Sequence, residues 1–243
     1  MELNWDLKKM RDANLACPDK KRWKKLQSSP DATVYADRNA NSAWLPMMRR
    51  QDWKYSVAVT IVGRRDCTLD DVFFAVITPD AVTRRRRIFL MDQRPRKSDQ
   101  VVPIEVSTQE APFQFLGVTR FLSPHIWPFP VFKSPREMVM AFATGGITTA
   151  NGKRYAYEMA QSVELRCKGA PNSLILRSRA VQARIFWEQR DGSIAVYSKL
   201  ILDVKNCLSD SMKRIMLCRT VMEFWKLCVT QSRNEKVVVV CEE

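Results

Sequence analysis

Alternating apolar and polar residues dominate the middle of the chain, and this two-residue period predicts β-strands. The pattern recurs in six segments: residues 101–106, 113–122, 138–149, 154–165, 180–189 and 194–204. Asn151-Gly152 and Asp191-Gly192 separate two pairs of these segments. Both dipeptides favour tight hairpin turns, because the two central residues of a type I′ turn need a positive φ. The centre of the chain is therefore predicted to form an antiparallel sheet.

Helical signals flank this predicted sheet. Four helices are expected, in the following places: from Pro18 to Leu26, after Thr68, after Pro79, and from about residue 206 to 232. The last is the longest, because apolar residues recur along it at three- and four-residue spacing. Two short strands, 33–36 and 55–62, are predicted between the first two helices.

Composition narrows the class of protein. The 243 residues are 46% hydrophobic and 27% charged, which is typical of a folded globular protein. The longest run without a charged residue, 138–152, is too short for a membrane-spanning helix and contains glycines. Glu2 and Asp6 lie at an N-terminus that has no apolar signal segment, so we expect a cytoplasmic protein.

Charge and cysteine content indicate the kind of partner to expect. Forty Lys and Arg against 26 Asp and Glu leave a net charge of +14, which favours anionic partners such as an acidic membrane surface or nucleic acid. The seven cysteines include no C-x-x-C pair. We therefore expect reduced thiols and no metal site.

Several motifs, in their order along the chain, resemble the START family of lipid-binding domains. Residues 126–130 (IWPFP) and then 134–139 (SPREMV) resemble a START segment in which a Trp-Pro-rich loop leads into an Arg-Asp-Phe-Val strand. Residues 152–157 (GKRYAY) with 161–163 (QSV) resemble the hairpin that follows. The similarity is greatest to divergent START-like domains of the kind often found beside FYVE zinc fingers.

The resemblance implies an α+β helix-grip fold. In this fold a curved antiparallel sheet wraps around a long C-terminal helix, with an N-terminal helix and small helices after the second or third strand. Residues 13–232 would form the START-like domain, between an N-terminal extension, 1–12, and a C-terminal tail, 233–243. Such a domain binds a single lipid or sterol in an internal apolar cavity, without catalysis, cofactor or metal. It would serve as an intracellular lipid carrier or as a membrane-associated lipid sensor.

Inward positions of the predicted strands and of the last helix are the candidate lining of this cavity. They are Val59, Ile61, Val139, Phe142, Tyr157, Met159, Ile185, Trp187, Val196, Leu200, Met212, Ile215, Met222 and Trp225. Burial of an acyl chain against them would contribute about 0.8 kcal/mol for each methylene group. The alternative is that these side chains fill an ordinary core.

An aromatic loop precedes the third central strand. Ile126, Trp127, Phe129 and Phe132 lie there among three prolines, which disfavour a regular strand or helix. In the resembled fold this loop lies at the cavity mouth, so we expect it to face a membrane, where Trp is favoured at the interface. The alternative is a loop folded over its own core.

Two basic runs are candidates for a charged surface. They contribute Lys24 and Lys25, and Arg84, Arg85, Arg86 and Arg87. We expect these side chains to assist docking on an anionic membrane. The alternative function is a START-like fold with a filled cavity, whose basic surface binds a protein or a nucleic acid. No recognisable nucleic-acid-binding motif accompanies the runs.

An enzyme of the same architecture is the third hypothesis. It would use a carboxylate such as Glu158, or His125, the single histidine. Strand alternation places Glu158 opposite Tyr157 and Met159. The sequence therefore predicts that Glu158 is a solvated surface carboxylate.

Overall fold

The computed structural model of the chain describes residues 21, 23–38, 56–77, 79–84, 100–123, 136–164, 176–203, 209, 211–215 and 217–222. These residues form ten β-strands in one sheet, with helices on one side of it. The strands are β1 (Trp23–Ser28), β2 (Ala32–Asp37), β3 (Ser56–Arg65), β4 (Gln100–Glu105), β5 (Phe115–Ser123), β6 (Arg136–Thr148), β7 (Arg154–Ser162), β8 (Leu176–Arg177), β9 (Arg179–Glu188) and β10 (Ile194–Asp203). Helix α1 is Leu69–Val76.

The sheet order places the last strand beside strands from the beginning of the described chain. Its path is β1-β2-β3-β10-β9-β7-β6-β5-β4, and every pair along it is antiparallel. β8 lies off this path and pairs in parallel with β6. The last strand, β10, is inserted between β3 and β9. It is therefore a central strand, and every residue of β10 except Leu202 is buried.

All six strands predicted in the centre of the chain are present, and so are both hairpins. β6 pairs with β7, and β9 pairs with β10. Gly152 and Gly192 have φ values of 76° and 81°, as the predicted turns require. In the second turn the Ser193 hydroxyl and backbone N–H donate to Asp191 Oδ1 at 2.7 and 3.1 Å. These hydrogen bonds lower the pKa of Asp191.

The predicted N-terminal helix is wrong over residues 23–26, which belong to the edge strand β1. Trp23 is buried, and Lys199 Nζ lies 5.6 Å from its ring centroid. Lys24 and Lys25 are exposed. Pairing with β2 and the burial of Trp23 outweigh the helical propensity of the lysines. Lysines on an open sheet edge also discourage pairing with another chain.

Helix α1 begins as the sequence predicts. Thr68 is the N-cap residue, and its hydroxyl accepts a hydrogen bond from the Asp71 backbone N–H at 3.1 Å. In return Asp71 Oδ2 accepts from the Thr68 backbone N–H at 2.7 Å. This reciprocal pair is a capping box, which satisfies two N–H groups at the start of the helix. The predicted short helix after Pro79 is present at residues 81–84.

One face of the sheet carries the hydrophobic core. The buried cluster on it includes Val34, Val57, Val59, Ile61, Phe186, Val196 and Leu200 from the strands, Leu69, Val72, Phe73, Ala75 and Val76 from α1, and Leu217, Cys218 and Val221. Residues 211–215 and 217–222 are helical. They lie within the predicted 206–232 helix, in which residue 209 is described as non-helical and the other residues are outside the described ranges. We call this side of the sheet the helix-covered face and the opposite side the outer face.

Replacing Thr68 with Ala tests the capping box. The variant loses the side-chain acceptor for the Asp71 N–H, so we expect the free energy of unfolding to fall by about 1 kcal/mol. Urea denaturation followed by circular dichroism measures the change. Thr68→Ser keeps the hydroxyl and should be close to wild type. Equal losses in the two variants would contradict a capping role.

Candidate functional site

A row of polar side chains crosses the helix-covered face. Ser198 of β10 lies opposite Arg184 of β9, Arg184 opposite Glu158 of β7, and Glu158 opposite Thr144 of β6. All four residues are at most 5% exposed. Because side chains on neighbouring strands in register share a face, the four form one continuous row. We call it the polar row.

An ion pair occupies the middle of the polar row. The Arg184 guanidinium Nη1 donates to Glu158 Oε2. Gln182, on the same face of β9, lies beside it; oriented to satisfy both groups, its Oε1 accepts from Arg184 Nη1, Nη2 and Nε at 2.8, 2.9 and 3.0 Å. Arg184 is thus held between an amide and a carboxylate. The prediction that Glu158 is solvated is wrong, since this residue is 1% exposed.

Except for Gln182, the residues that flank the polar row on its two sides are apolar or small. On one side the neighbouring row consists of Val196, Phe186, Ala156 and Gly146. Helix α1 approaches this side closely: a Cβ atom on Gly146 would lie 3.0 Å from Phe73 Cζ. Phe73 also stacks on Phe113, with ring centroids 4.0 Å apart. The polar row is therefore enclosed by hydrocarbon at its α1 side.

On the other side of the polar row, the flanking residues are Leu200, Gln182, Ala160 and Phe142. Arg84, from the short helix after α1, places its guanidinium carbon 5.6 Å from the Phe142 ring centroid. At that distance a cation is attracted to the face of the ring. Arg84 is 8% exposed. Its assignment to a basic surface is therefore wrong, because its side chain is buried on the helix-covered face.

Five of the predicted cavity residues lie on the helix-covered face of the sheet. Val59, Ile61, Val196 and Leu200 belong to its buried cluster, and Phe142 packs against that cluster. Val59 and Ile61 are completely buried. Met222, from the C-terminal helical segment, also packs against the cluster. The structure therefore brings these six residues together around the polar row.

Five other predicted cavity residues lie on the outer face, so their assignment to the same lining is wrong. Tyr157 lies opposite Ile185, and Trp187 lies opposite Tyr155. The strand period places them, with Met159, on the other side of the sheet from Glu158, Arg184 and Phe186. Met159 is 45% exposed. Val139 alternates with Met138 and Met140, which belong to the buried cluster, so it too points outward.

Some of the remaining predicted site residues lie within the described residues, and the others lie outside them. Met212 is half-buried and Ile215 is 53% exposed, so Ile215 does not face the enclosed side. Lys24 and Lys25 are exposed, as expected for a basic surface. Outside the described residues lie Trp225, the loop residues Ile126, Trp127, Phe129 and Phe132, the single histidine His125, and Arg85, Arg86 and Arg87.

Two cysteines, Cys67 and Cys218, lie in the described part of the chain, and neither forms a disulfide bond there. Burial raises the pKa of Cys218 to about 11, so its thiol stays protonated at neutral pH and is a poor nucleophile. In the described ranges no cluster of His, Cys, Asp or Glu has the geometry to hold a metal ion. In the same ranges no helix is long and apolar enough to cross a membrane.

Solved structures of lipid-transfer proteins share this architecture. No protein-family model matches the chain, and no curated protein matches it. Human StAR-related lipid transfer protein 5 superimposes with a TM-score of 0.56 at 13% identity, over 95% of this chain and 94% of that one. Human STARD10 gives 0.54 at 12% identity, over 95% of this chain and 83% of that one.

A bacterial structure agrees with the human ones. The STAR-related lipid transfer protein of Xanthomonas axonopodis superimposes with a TM-score of 0.55 at 14% identity, over 87% of this chain and 99% of that one. This is a START-like fold. The predicted α+β helix-grip architecture is thereby confirmed, and the polar row lies on the face that the START-like sheet turns toward its helices.

Proposed function

We propose that the protein is a non-catalytic carrier or membrane-associated sensor that encloses one lipid or sterol. The ligand would lie between the helix-covered face and the helices that pack on it, within a domain spanning residues 13–232. Val59, Ile61, Phe142, Val196 and Leu200 would contact its hydrocarbon part. Burial against such residues would contribute about 0.8 kcal/mol for each methylene group. No cofactor takes part.

The observation that carries this proposal is the Arg184–Glu158 pair in the polar row. A buried ion pair is seldom the most stable solution for a core, because removing both charges from water is expensive. Apolar side chains of similar size are often at least as stable at such a site. The START-like fold supports a lipid as ligand, and the ion pair supports a role in binding its polar group.

The exposed lysines of β1 support docking on an anionic membrane. Lys24 and Lys25 are exposed on the edge strand, and the chain carries a net charge of +14. A basic side chain near an anionic bilayer contributes about 1 kcal/mol. In this proposal Ile126, Trp127, Phe129 and Phe132 would insert at the same interface.

Native mass spectrometry of gently purified protein, followed by lipid extraction, tests the proposed function. We expect an adduct of one lipid per chain that exchanges on incubation with mixed liposomes. The matched control is the double variant Glu158→Leu/Arg184→Met, which keeps side-chain bulk but removes the polar groups. It should carry less lipid than the wild type while remaining folded.

A wild-type protein that carries no lipid and takes up none from liposomes would contradict the proposal. The interior would then be filled by its own side chains. Salt-dependent binding of a protein or nucleic acid to the basic surface would in that case become the function to test.

A further inference from the structure

The outer face of the sheet is buried at one side and open at the other. Over β2, β3 and β10 its side chains Tyr35, Thr60, Tyr197 and Lys199 are at most 9% exposed. Over the middle of β5, β6 and β7, side chains of the same face are half-buried or exposed. They are Leu116 and Val118 on β5, Ala141 and Ala143 on β6, and Tyr157 and Met159 on β7.

Side-chain size gives the open half of the outer face the shape of a groove. Ala143 on β6 lies between Leu116 on β5 and Met159 on β7. In the next row of the same face, Ala141 lies between larger side chains on the same two strands. Small residues between larger ones form a floor between two walls. We call this the outer groove, with the floor Ala141 and Ala143 and the walls Leu116 and Val118, and Met159 and Gln161.

The outer groove has two defined ends. At one end Tyr157 lies across β6, because a Cβ atom on Gly145 would be 2.6 Å from the Tyr157 hydroxyl oxygen. At the other end Arg120 Nε donates to Glu137 Oε1 at 2.6 Å, and this ion pair adds no net charge. The strand from Val139 to Gly145 spans about 20 Å between these ends.

A helix fits the outer groove better than a strand does. The backbone of β6 is already paired on both sides, with β5 and with β7, so it cannot bond to an added strand. A helix satisfies its own backbone hydrogen bonds. Strands β5 and β7 are two strand spacings apart, about 10 Å, which matches the diameter of a helix. A length of about 20 Å holds about 13 helical residues.

The β4 side of the outer groove indicates the charge of its occupant. Glu105 is exposed and lies opposite Leu116, so it forms a rim beside that wall. Residues 100–119 contain Glu105 and Glu110 but no Lys or Arg, although 40 of the 243 residues are basic. This rim repels an anionic membrane and attracts basic side chains.

We propose that the outer groove docks an amphipathic helix of another protein. This helix places apolar side chains on Ala141 and Ala143, and Lys or Arg beside Glu105. The groove lies on the opposite face of the sheet from the polar row, so the inference does not depend on lipid binding. Helix α1 of a second copy fits poorly, because its Asp70 and Asp71 would meet the acidic rim.

Binding of two designed helical peptides to the full chain tests the proposal. Both are about 14 residues long and carry leucines at three- and four-residue spacing, flanked by lysines in one peptide and by glutamates in the other. Fluorescence anisotropy measures the two dissociation constants. We expect the wild type to bind the lysine peptide at least about threefold more tightly. The overall charge of +14 alone would produce the opposite preference.

Variants of the outer groove test the place of binding. Ala143→Gln on the floor and Met159→Gln on the wall add a polar amide without changing the charge. Each should weaken binding of the lysine peptide by at least about fivefold, because leucine side chains lose their apolar contact. Glu105→Gln should weaken it by about two- to fivefold and reduce the preference for lysine.

The matched controls lie outside the outer groove. Val82→Gln changes an exposed apolar side chain in the short helix 81–84, and Asp66→Asn removes an exposed carboxylate at the end of β3. Both should bind the lysine peptide as the wild type does. Met159 is 45% exposed, so Met159→Gln should fold normally, which circular dichroism checks. Lipid uptake by this variant should equal that of the wild type.

Three results would overturn the docking proposal and leave lipid binding intact. The first is failure of the wild type to bind the lysine peptide, or a preference for the glutamate peptide. The second is unchanged binding in both Ala143→Gln and Met159→Gln. The third is self-association of the wild type that Met159→Gln abolishes, because the occupant would then be a second copy of this chain.

Discussion

Replacing Arg184 with Met should lower the free energy of unfolding by about 3–5 kcal/mol. The Glu158 carboxylate is 1% exposed, and the variant takes away the guanidinium that neutralises it. Water cannot take over that role at a site enclosed by α1 on one side and Phe142 on the other. Urea denaturation measures the loss, which is large against the 5–15 kcal/mol of a typical domain.

The double variant Glu158→Leu/Arg184→Met separates stability from binding. With both charges removed, neither member of the pair is left uncompensated at this site, so we expect most of the lost stability to return. Lipid uptake should stay low, because the polar row then lacks its central pair. Full lipid uptake by a stable double variant would contradict the binding role of the pair.

The exposed ion pair between Arg154 and Asp70 provides a control for the Arg184 variant. Arg154 Nη2 lies 3.0 Å from Asp70 Oδ1, and these side chains are 46% and 54% exposed. Solvent screens such a pair, so Arg154→Ala should cost less than about 1 kcal/mol. If Arg184→Met cost no more than Arg154→Ala, the ion pair would not be buried in solution.

The strands and turns of the centre could be predicted because each depends on local sequence. Gly152 and Gly192 adopt a positive φ at little energetic cost because glycine has no Cβ. The two hairpin turns therefore form independently of the rest of the fold. The capping box of Thr68 and Asp71 is also local, since its partners are three residues apart. The resemblance to START domains implied how these elements are arranged in the helix-grip fold.

The choice of face could not be predicted for β7 and β9, because it depends on partners distant in sequence. In both strands the alternating apolar set, Tyr157 and Met159 or Ile185 and Trp187, is on the outer face. The polar set faces inward, where Glu158 and Arg184, 26 residues apart in the sequence, lie opposite each other and compensate each other's charge. The opposite charges of Glu158 and Arg184 were a signal in the sequence for a buried pair. The sequence does not give the β7–β9 register that places them opposite each other.

Strand β1 shows a second limit of sequence patterns. Residues 23–28 contain lysines that suit an exposed helix, and a buried Trp23 that suits either structure. Tertiary pairing decides between them: β2 offers an unpaired edge, and Lys199 lies over the Trp23 ring. β2 follows β1 directly in the chain, whereas Lys199 becomes adjacent to Trp23 only after the sheet forms.

Replacing Phe73 with Ala should be about as destabilising as breaking the ion pair, by about 3–5 kcal/mol. The side chain is 2% exposed, stacks on Phe113 and lies against Gly146, so its removal leaves a cavity between α1 and the sheet. The strands on the other side of this cavity are held by backbone hydrogen bonds to their neighbours, so they cannot move in to fill it. Thermal and urea denaturation measure the loss.

Phe74 is the matched control on the same helix. It is 59% exposed and meets Phe113 only edge-on, with centroids 6.2 Å apart. Phe74→Ala leaves no cavity, so its effect should stay within about 0.5 kcal/mol. Equal losses at the two positions would mean that α1 does not present Phe73 to the sheet. The side of the polar row that faces α1 would then be open to water, and the large loss of stability expected for Arg184→Met would not follow.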